Sequence, residues 1–377
     1  MDISKIFKLF FRKLNYFLKV LFVLVLSKLI KLNSKKINDA NNTITCFLYG
    51  GIGDQLITID RLNTFSGKFK IIVYLDYRFK FLKDFLNTKN VKYYTSKKKL
   101  DFLFNIFKEK KTNKIYFSNS ANFIHLVIYL LGGYTSFIGY LGDFKKVLFG
   151  NEFLSIDIIN RYESMRFISE KLLNRKINSI KLDKSKISNK VYNISTSNHF
   201  IVMNIFKTSY WGDISLPIET WAKFILNNKY LNKMKIILIG DSAQVKKNKV
   251  LYDLISSLNI FDISGKTNFY ELAFLISKSK FVICNDSGVM HLSNFFKKKN
   301  IAIFTFSDPK VFANYKYTKV IFEEKNKCQP CISLSNVGSD NYPPICFNSY
   351  NCAKSINEEI LEEEFNSFYE AINNSSL

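Results

Sequence analysis

The residues best suited to chemistry lie in the segment 281–292, which reads FVICNDSGVMHL. An apolar run ends there in a turn that is followed by a predicted helix. Asp286 or Ser287 can cap that helix, and Gly288 leaves its first amides open to an anion such as a diphosphate. Ser287 and His291 are four residues apart and therefore project from one helix face. A lone histidine is often structural, so both interpretations of His291 stay open.

A second segment, YGGIGDQL at 49–56, has the same order of strand, turn and helix. Gly51 and Gly53 allow a tight turn that a ligand can approach. Asp54 falls in the first turn of the predicted helix, where it is either a helix N-cap or a general base for a substrate hydroxyl. The glycine pattern matches neither a G-x-G-x-x-G fingerprint nor a P-loop, so it does not decide between them.

Two further turns follow predicted strands. Gly240 and Asp241 end an apolar run and offer a polar rim to a nucleotide ribose. Lys266 and Thr267 follow the next predicted strand, where the lysine can face a phosphate. The alternative for each is a plain turn with solvated side chains.

The elements that must position these residues alternate between short apolar runs and longer amphipathic segments, a pattern typical of parallel α/β sheets. In the first half, strands are predicted at 44–49, 71–75, 91–94, 114–117 and 136–140, with helices at 54–62, 78–86, 100–108 and 122–131. In the second half, strands are predicted at 200–204, 235–239, 260–263, 281–285 and 301–304, with helices at 218–226, 243–258, 269–277 and 289–296. The polar stretch 181–198 is the predicted hinge. Two such sheets would bind ligands at the carboxyl ends of their strands.

The chain has 377 residues, 47% of them hydrophobic, which excludes a disordered chain and suits two domains. Lysine and arginine number 55 against 31 aspartate and glutamate, a formal charge of +24 that indicates an anionic partner. Nucleic acid, an acidic membrane surface and a phosphorylated small molecule all fit that charge. Arginine, the usual reader of bases, is scarce, which argues against nucleic acid.

Residues 1–33 alternate lysines with apolar residues, and their longest uncharged run is too short to span a bilayer. We expect a basic amphipathic helix that lies on an anionic membrane surface. A signal anchor and a helix packed on the protein itself are the alternatives. Residues 34–43 are a predicted linker.

Taken together, these segments resemble glycosyltransferase family 9, the ADP-heptose:lipopolysaccharide heptosyltransferases. The Asp286 block looks like the family's D-[ST]-G-x-x-H-L element, and it follows a G-K-[TS] turn at Gly265 at the expected distance. The turn before Asp54 resembles the family's G-x-[IL]-G-D element, and Trp221 after Pro217 resembles its P-x-x-x-W element. The resemblance covers about residues 44–372.

The resemblance implies a GT-B type fold of two Rossmann-like domains facing a cleft, preceded by the amphipathic helix. The acceptor domain would span 44–190, the nucleotide-sugar domain 191–354, and a C-terminal helix at 355–377 would return towards the N-terminal domain. It implies an inverting glycosyltransferase with no required cofactor or metal, in which Asp54 is the general base. The donor, expected to be ADP-heptose, would be bound by a set of ten residues: Lys207, Ser209, Gly240, Asp241, Lys266, Thr267, Asp286, Ser287, Gly288 and His291.

The resemblance also implies partners and a location. The acceptor would be a lipid-linked or lipopolysaccharide-core saccharide, and the protein would be peripheral on the cytoplasmic face of the inner membrane. Relatives often carry a cation just before the P-x-x-x-W element, and residues 213–217 have none. This departure leaves open another nucleotide sugar as donor, or a family member that binds nucleotide without catalysis.

Six cysteines in a chain of this length do not form a disulfide framework. Cys46 and Cys284 lie in apolar runs and are predicted to be buried thiols. The other four cluster near the C-terminus, where free thiols are favoured over a structural zinc site or disulfides; they are Cys328, Cys331, Cys346 and Cys352.

Overall fold

The computed structural model describes Leu18 and residues 43–48, 51–63, 70–86, 91–96, 114–118, 136–139, 153–154, 184–194, 200–209, 212–332, 346 and 351–374. The predicted membrane helix, the linker up to residue 42 and the predicted helices at 100–108 and 122–131 lie outside these residues, apart from Leu18. Contacts divide the chain into two compact units. The described residues up to 154 belong to the first unit, and those from 184 onward belong to the second.

The first unit contains a six-stranded sheet, and all of its strands are parallel. Its strands are β1 Thr43–Leu48, β2 Lys70–Asp76, β3 Val91–Ser96, β4 Lys114–Ser118, β5 Ser136–Gly139 and β6 Phe153–Leu154. They lie in the order β3-β2-β1-β4-β5-β6, which is the Rossmann order. The five predicted strands are confirmed to within two residues, and β6 was not predicted.

The connections of the first sheet include one α-helix among the described residues, α1 Ile52–Leu62, which follows β1. The predicted helix at 78–86 is wrong in type, because Tyr77–Phe85 is a 3-10 helix interrupted at Phe79. Its buried side chains, Leu82 and Phe85, are three residues apart. That spacing puts them on one face of a helix with three residues per turn, which favours the tighter form.

The second unit repeats this architecture. Its strands and helices, in chain order, are α2 Asn189–Ile194, β7 Phe200–Asn204, β8 Thr208–Ser209, β9 Gly212–Asp213, α3 Ile218–Asn227, β10 Lys235–Leu238, α4 Val245–Leu254, β11 Ile260–Asp262, α5 Phe269–Lys278, β12 Val282–Asn285, α6 Gly288–Phe295, β13 Asn300–Phe304, α7 Pro309–Phe312, β14 Thr318–Phe322 and α8 Glu358–Asn374. Short 3-10 helices occupy Lys184–Lys186, Leu231–Lys233 and Asn351–Lys354.

The second sheet is also entirely parallel, in the order β11-β10-β7-β12-β13-β14. Numbered within the unit, this is again 3-2-1-4-5-6. Its five predicted strands and four predicted helices are confirmed within a few residues, whereas β14 and α7 were not predicted. The short strands β8 and β9 form an antiparallel pair beside the sheet.

The stretch 181–198, predicted as a hinge, contains α2, and its described part belongs to the second unit. The Ser188 amide donates to Glu271 Oε1 at 3.1 Å, and Lys186 Nζ donates to the Tyr270 hydroxyl at 3.3 Å. The second unit therefore begins before the predicted domain boundary after residue 190.

The C-terminal helix α8 buries its apolar face in the second unit. Phe365 lies 5.7 Å from Phe224 of α3 between ring centroids, and Phe368 lies 5.4 Å from Phe281. These rings are part of the core of the second unit. That α8 also returns towards the N-terminal half stays a prediction.

Candidate functional site

The second sheet has its topological switch point between β7 and β12, where the chain leaves the two strands towards opposite sides of the sheet. Ligands of open α/β sheets bind in the crevice outside the carboxyl ends of such strands. Lys207 follows β7, and Asp286 directly follows β12. The structure therefore brings together at this crevice two of the predicted donor-binding residues that are 79 positions apart in the chain.

The Lys207 side chain contacts Asp286, the first residue of the turn between β12 and α6. Its Nζ donates a hydrogen bond to the Asp286 carbonyl oxygen and lies 3.6 Å from Asp286 Oδ2. The same ammonium lies 4.7 Å from the centroid of the Phe306 ring, within range of a cation–π contact. Its backbone amide donates to Ser215 Oγ at 2.7 Å. These contacts fix a positive charge at the crevice.

The Asp286 carboxylate is largely buried, with 14% of its side chain exposed. Ser307 Oγ donates to Asp286 Oδ2 at 2.5 Å. Burial alone would raise the pKa of Asp286, but Lys207, His291 and the Ser307 hydrogen bond together hold that pKa below its usual value. Asp286 is therefore an ionised residue that orients the lysine, and it does not cap helix α6.

Helix α6 begins with uncovered amides. Ser287 is its N-cap residue, in an extended conformation, but its side chain makes no capping hydrogen bond. Among the described residues, Ser287 Oγ is buried and has no hydrogen-bond partner. The first amides of a helix, here from Gly288 onward, have no partner within the helix, and they carry its positive dipole end. The predicted anion site is thus formed by backbone amides and a buried hydroxyl beside the Lys207 ammonium.

His291 lies one turn further along α6 and is buried, with 9% of its surface exposed. Its amide donates to the Ser287 carbonyl at 3.4 Å, as the helix requires. Its charged form interacts favourably with the Asp286 carboxylate. The structure therefore places His291 beside the predicted donor site.

The two glycine turns predicted to contact the donor are joined to each other. The Gly265 amide donates to the Gly240 carbonyl at 2.8 Å. A Cβ atom at Gly240 would lie 2.6 Å from Gln244 Oε1, and Gly265 has a φ of +68°, so both positions require glycine. Asp241 accepts a hydrogen bond from the Ala243 amide at 2.9 Å, as in a plain turn.

Buried asparagine side chains stabilise these two turns through hydrogen bonds. Asn204 Nδ2 donates to the Ile239 carbonyl at 3.2 Å, and Asn248 Nδ2 donates to Ser264 Oγ at 2.6 Å. The Gly240 turn follows β10 and the Gly265 turn follows β11, which are one and two strands from β7. Neighbouring strands are about 5 Å apart, so the two turns line the same edge of the sheet. Lys266 and Thr267 therefore lie at this edge but further from the switch point. Ser209 lies in β8, and its side chain is outside the described residues.

Sequence reasoning missed two residues at this edge. Ser307 follows β13, and its bond to Asp286 spans 21 positions. A polar residue three positions after a strand of the same sheet was the available signal. Lys247 on α4 places its Nζ 5.5 Å from the centroid of the buried Phe206 ring, and burial lowers the pKa of Lys247. No motif in the sequence indicated that contact.

In the first unit, Asp54 lies in the first turn of α1, directly after β1. Helix α1 begins at Ile52, so Asp54 is its third residue and the N-cap interpretation is wrong. Strand β1 pairs with β4, and these two strands form the switch point of the first sheet. Asp54 is half-buried, and Thr58 Oγ1 donates to its backbone carbonyl at 2.9 Å. This places a carboxylate at the ligand-binding edge of the first sheet.

The C-terminal cysteines are free thiols in the structure, and Cys46 and Cys284 are buried as predicted. Burial first, and then the neighbouring thiols of Cys328, Cys352 and Cys346, raise the pKa of Cys331 to about 12. The four side chains are therefore close enough to influence one another. Within the part of the chain that the structure describes, no group of three or more histidine, cysteine, aspartate or glutamate side chains is placed to hold a metal ion.

The loop that carries Cys328 and Cys331 is anchored to the connection after β13. Gln329 Nε2 donates to the Thr305 carbonyl at 2.6 Å, and the Asp308 amide donates to the Ile332 carbonyl at 2.8 Å. Ser307 lies between these two anchors. The cysteine loop thus supports the segment that holds Asp286.

None of the helices among the described residues is both long enough and apolar enough to cross a membrane.

Comparison with known proteins agrees with the resemblance read from the motifs. Residues 164–339 match the model of glycosyltransferase family 9 (heptosyltransferase). The match therefore confirms the predicted resemblance to this family over residues 164–339. Among curated proteins, none matches this chain.

Solved structures share the fold. A glycosyl transferase family 9 protein from Veillonella parvula is 14% identical, with a TM-score of 0.62 over 89% of this chain and 99% of its own. The Escherichia coli ADP-heptose LPS heptosyltransferase II is 13% identical, with a TM-score of 0.58 over 89% of this chain and 100% of its own. The iron-containing dodecameric heptosyltransferase TibC, from enterotoxigenic E. coli and in complex with ADP-D-beta-D-heptose, is 13% identical, with a TM-score of 0.51 over 90% of this chain and 78% of its own. At these identities the likeness establishes the predicted α/β fold of GT-B type.

Proposed function

We propose that this chain, in which residues 164–339 match the glycosyltransferase family 9 model, transfers heptose from ADP-heptose to a lipopolysaccharide-core or related glycan with inversion at the anomeric carbon. The observation that carries the proposal is the anion site at the start of α6, where uncovered amides and the buried Ser287 hydroxyl lie beside the Lys207 ammonium. A nucleotide diphosphate is the leaving group that such a site suits.

The donor diphosphate would bind with its negative oxygens facing the amides from Gly288 onward and the Lys207 ammonium. Relatives often supply a cation just before the P-x-x-x-W element, where this chain has none. Lys207, fixed by its bond to the Asp286 carbonyl, takes that role in our proposal. Gly240 and Asp241 are one strand away from the switch point, a suitable distance for the ribose.

The chemical step would be a direct displacement. The acceptor hydroxyl oxygen attacks the anomeric carbon from the face opposite the diphosphate, and the bond from that carbon to the diphosphate oxygen breaks. The hydroxyl proton passes to the Asp54 carboxylate, and the bonding electron pair leaves on the diphosphate. The helix dipole and Lys207 stabilise the charge that develops there. Attack from the opposite face inverts the configuration.

We further propose that transfer needs no metal ion, because fixed positive charge at the α6 start can stabilise the leaving diphosphate in place of a divalent cation. A related heptosyltransferase is iron-containing, so this part is tested separately. Transfer should persist in EDTA. Loss of transfer in EDTA that a divalent cation restores would overturn it.

We propose a cytoplasmic protein that is peripheral on the inner membrane, where a lipid-linked acceptor is accessible. The basic residues of 1–33 support this location.

The test is transfer from ADP-heptose to a heptose-deficient lipopolysaccharide core saccharide, measured as ADP release and product mass. Asp54→Asn should lower turnover by about 10²- to 10⁴-fold, the usual contribution of a general base, while ADP-heptose binding is retained. Asp60→Asn, on the same helix, is the matched control and should keep full turnover. Equal turnover of the two variants would remove Asp54 from the mechanism.

The donor is tested by thermal shift with ADP-, GDP- and UDP-sugars, because a bound ligand raises apparent stability by mass action. ADP-heptose should give the largest shift, and Ser287→Ala should reduce it. A larger shift with a GDP- or UDP-sugar would replace the donor in our proposal.

A further inference from the structure

The amino ends of the strands of the second sheet carry an unusual concentration of lysines. Because all strands are parallel, the connections entering β10, β12, β13 and β14 meet at one edge, which we call the amino edge, opposite the candidate donor site. In these connections, residues 228–234, 278–281, 296–299 and 314–317 contain no aspartate or glutamate. They contain eight lysines: Lys229, Lys233, Lys278, Lys280, Lys297, Lys298, Lys299 and Lys316.

Three of these lysines line one cavity of about 320 Å³, which we call the Lys–Tyr cavity. Its lining residues are Lys229, Tyr230, Lys233, Met234, Lys280 and Tyr369. A larger cavity of about 690 Å³ lies beside α8, but one of its lysines, Lys319, is paired with Glu364 at 2.5 Å. The smaller cavity therefore has the greater density of cations.

Tyrosine rings contact two of the three cavity lysines. The rings of Tyr230 and Tyr369 lie 4.4 Å apart between centroids. Lys229 Nζ lies 4.8 Å from the Tyr230 ring centroid, and Lys280 Nζ lies 4.7 Å from the Tyr369 ring centroid and 3.3 Å from its hydroxyl. The Tyr230 hydroxyl donates to Glu370 Oε1 at 3.4 Å, so one carboxylate lies at the rim.

Helix dipoles do not explain this arrangement. A cation near the C-terminus of a helix is stabilised by the helix dipole. Lys298 is such a cation, because its Nζ donates to the carbonyl of Ser279 at the end of α5, at 2.8 Å. Burial first, and the nearby Lys278 ammonium second, lower the pKa of Lys298. The lysines of the cavity come from two separate connections and line one space, where an anion would find several ammonium groups within reach.

We propose that the Lys–Tyr cavity is a binding site for a phosphate monoester, carried on a small molecule or on a lipid headgroup. Three ammonium groups offer the hydrogen-bond donors and the charge that a phosphate requires. The volume is at the low end for small-molecule sites, so it suits a small phosphorylated ligand better than a whole nucleotide sugar. The site is independent of the proposed donor site, which lies at the carboxyl edge.

The test uses the full-length protein with saturating ADP, so that the candidate donor site is occupied. Inorganic phosphate and glucose 6-phosphate are titrated calorimetrically into wild type, into Lys229→Ser with Lys233→Ser, and into the charge-matched control Lys223→Ser with Lys246→Ser. Lys223 and Lys246 are exposed on α3 and α4 and are not among the residues that line the cavity. The cavity double variant should bind at least about tenfold more weakly, and the control within twofold of wild type.

A vesicle arm distinguishes the two sources of the phosphate. Sedimentation with vesicles that contain phosphatidic acid, whose headgroup is a phosphate monoester, should decrease in the cavity variant but not in the control; this result without measurable glucose 6-phosphate binding assigns the site to a lipid headgroup. Saturable glucose 6-phosphate binding that the cavity variant loses assigns it to a small molecule. If the double variant does not fold, Lys280→Ser replaces it. Equal affinity of the two double variants for every probe, or no saturable binding of any probe, overturns the proposal.

Discussion

Replacing Lys207 with methionine should expose how strongly the candidate donor site depends on one ion pair. The side chains of Lys207 and Asp286 are 20% and 14% exposed, so water screens their charges only in part. Hydrogen bonds to charged groups contribute about 1.5–3 kcal/mol, and removal of one partner from a fully buried pair costs about 3–5 kcal/mol. With this partial exposure, we expect Lys207→Met to lower the free energy of unfolding of the second unit by about 2 kcal/mol.

The assay is equilibrium unfolding followed by tryptophan fluorescence. Both tryptophans of the chain, Trp211 and Trp221, lie in the part of the sequence that forms the second unit, and Trp221 is fully buried. Their emission therefore reports that unit separately from the first. Lys266→Met, which removes an exposed lysine at the same edge, is the control and should change the free energy of unfolding by less than about 0.5 kcal/mol.

A double-mutant cycle separates the ion pair from the general loss of a side chain. In an Asp286→Asn background, Lys207→Met should cost much less than in wild type, because the charge that it pairs with is gone. If the two substitutions are additive within about 0.5 kcal/mol, the pair makes no net contribution and our interpretation of the site is wrong.

The same cycle has a predicted pH dependence. The pKa of Asp286 is lowered in the folded protein, so its contribution to stability is fully present above the unfolded-state pKa of about 4. That contribution is lost as the pH falls through the folded-state pKa. The difference in stability between wild type and Asp286→Asn should therefore narrow as the pH is lowered from 5 to 3. A constant difference would show that Asp286 is not ionised in the folded state.

Two other predictions concern the ends of the chain. Phe365→Ala should lower the free energy of unfolding of the second unit by about 3–5 kcal/mol, because the ring packs on Phe224 and Phe281 in the core. The control Glu363→Ala removes an exposed side chain of the same helix and should have little effect. Similar tryptophan unfolding curves for the two variants would contradict the packing of α8. Deletion of residues 1–33 should move the protein from the membrane to the soluble fraction on sedimentation, and unchanged sedimentation would end the assignment of these residues to the membrane surface.

The central strands of both sheets were predictable because they are covered on both faces. In β2, all residues from Ile71 to Asp76 are buried, and in β7 all five residues are buried. A strand of a parallel sheet therefore appears as a short continuous apolar run, which is visible without any alignment. Two strands of the sheets were not predicted, because their apolar runs are short or interrupted. Strand β6 has only two residues, and β14 has partly exposed positions.

The candidate site was predictable where its residues are adjacent in the chain. Asp286, Ser287 and Gly288 form a short turn between a strand and a helix, and this turn alone indicated an anion site. What the sequence did not contain was the direction of each side chain. It offered Asp286 as a helix cap, whereas the carboxylate points to Lys207 and Ser307 and leaves the start of α6 uncovered.

The uncovered helix start is also the feature that a stability argument alone does not explain. A side-chain cap on α6 would contribute about 1 kcal/mol, and both Asp286 and Ser287 are good capping residues. The carboxylate instead accepts from Ser307, and the Ser287 hydroxyl is buried without a partner among the described residues. A buried unsatisfied hydroxyl costs about 1–3 kcal/mol until a ligand accepts its proton. The Ser287 hydroxyl and the first amides of α6 are therefore free of a side-chain cap, and in our proposal the binding of a diphosphate recovers the energy that the missing cap costs.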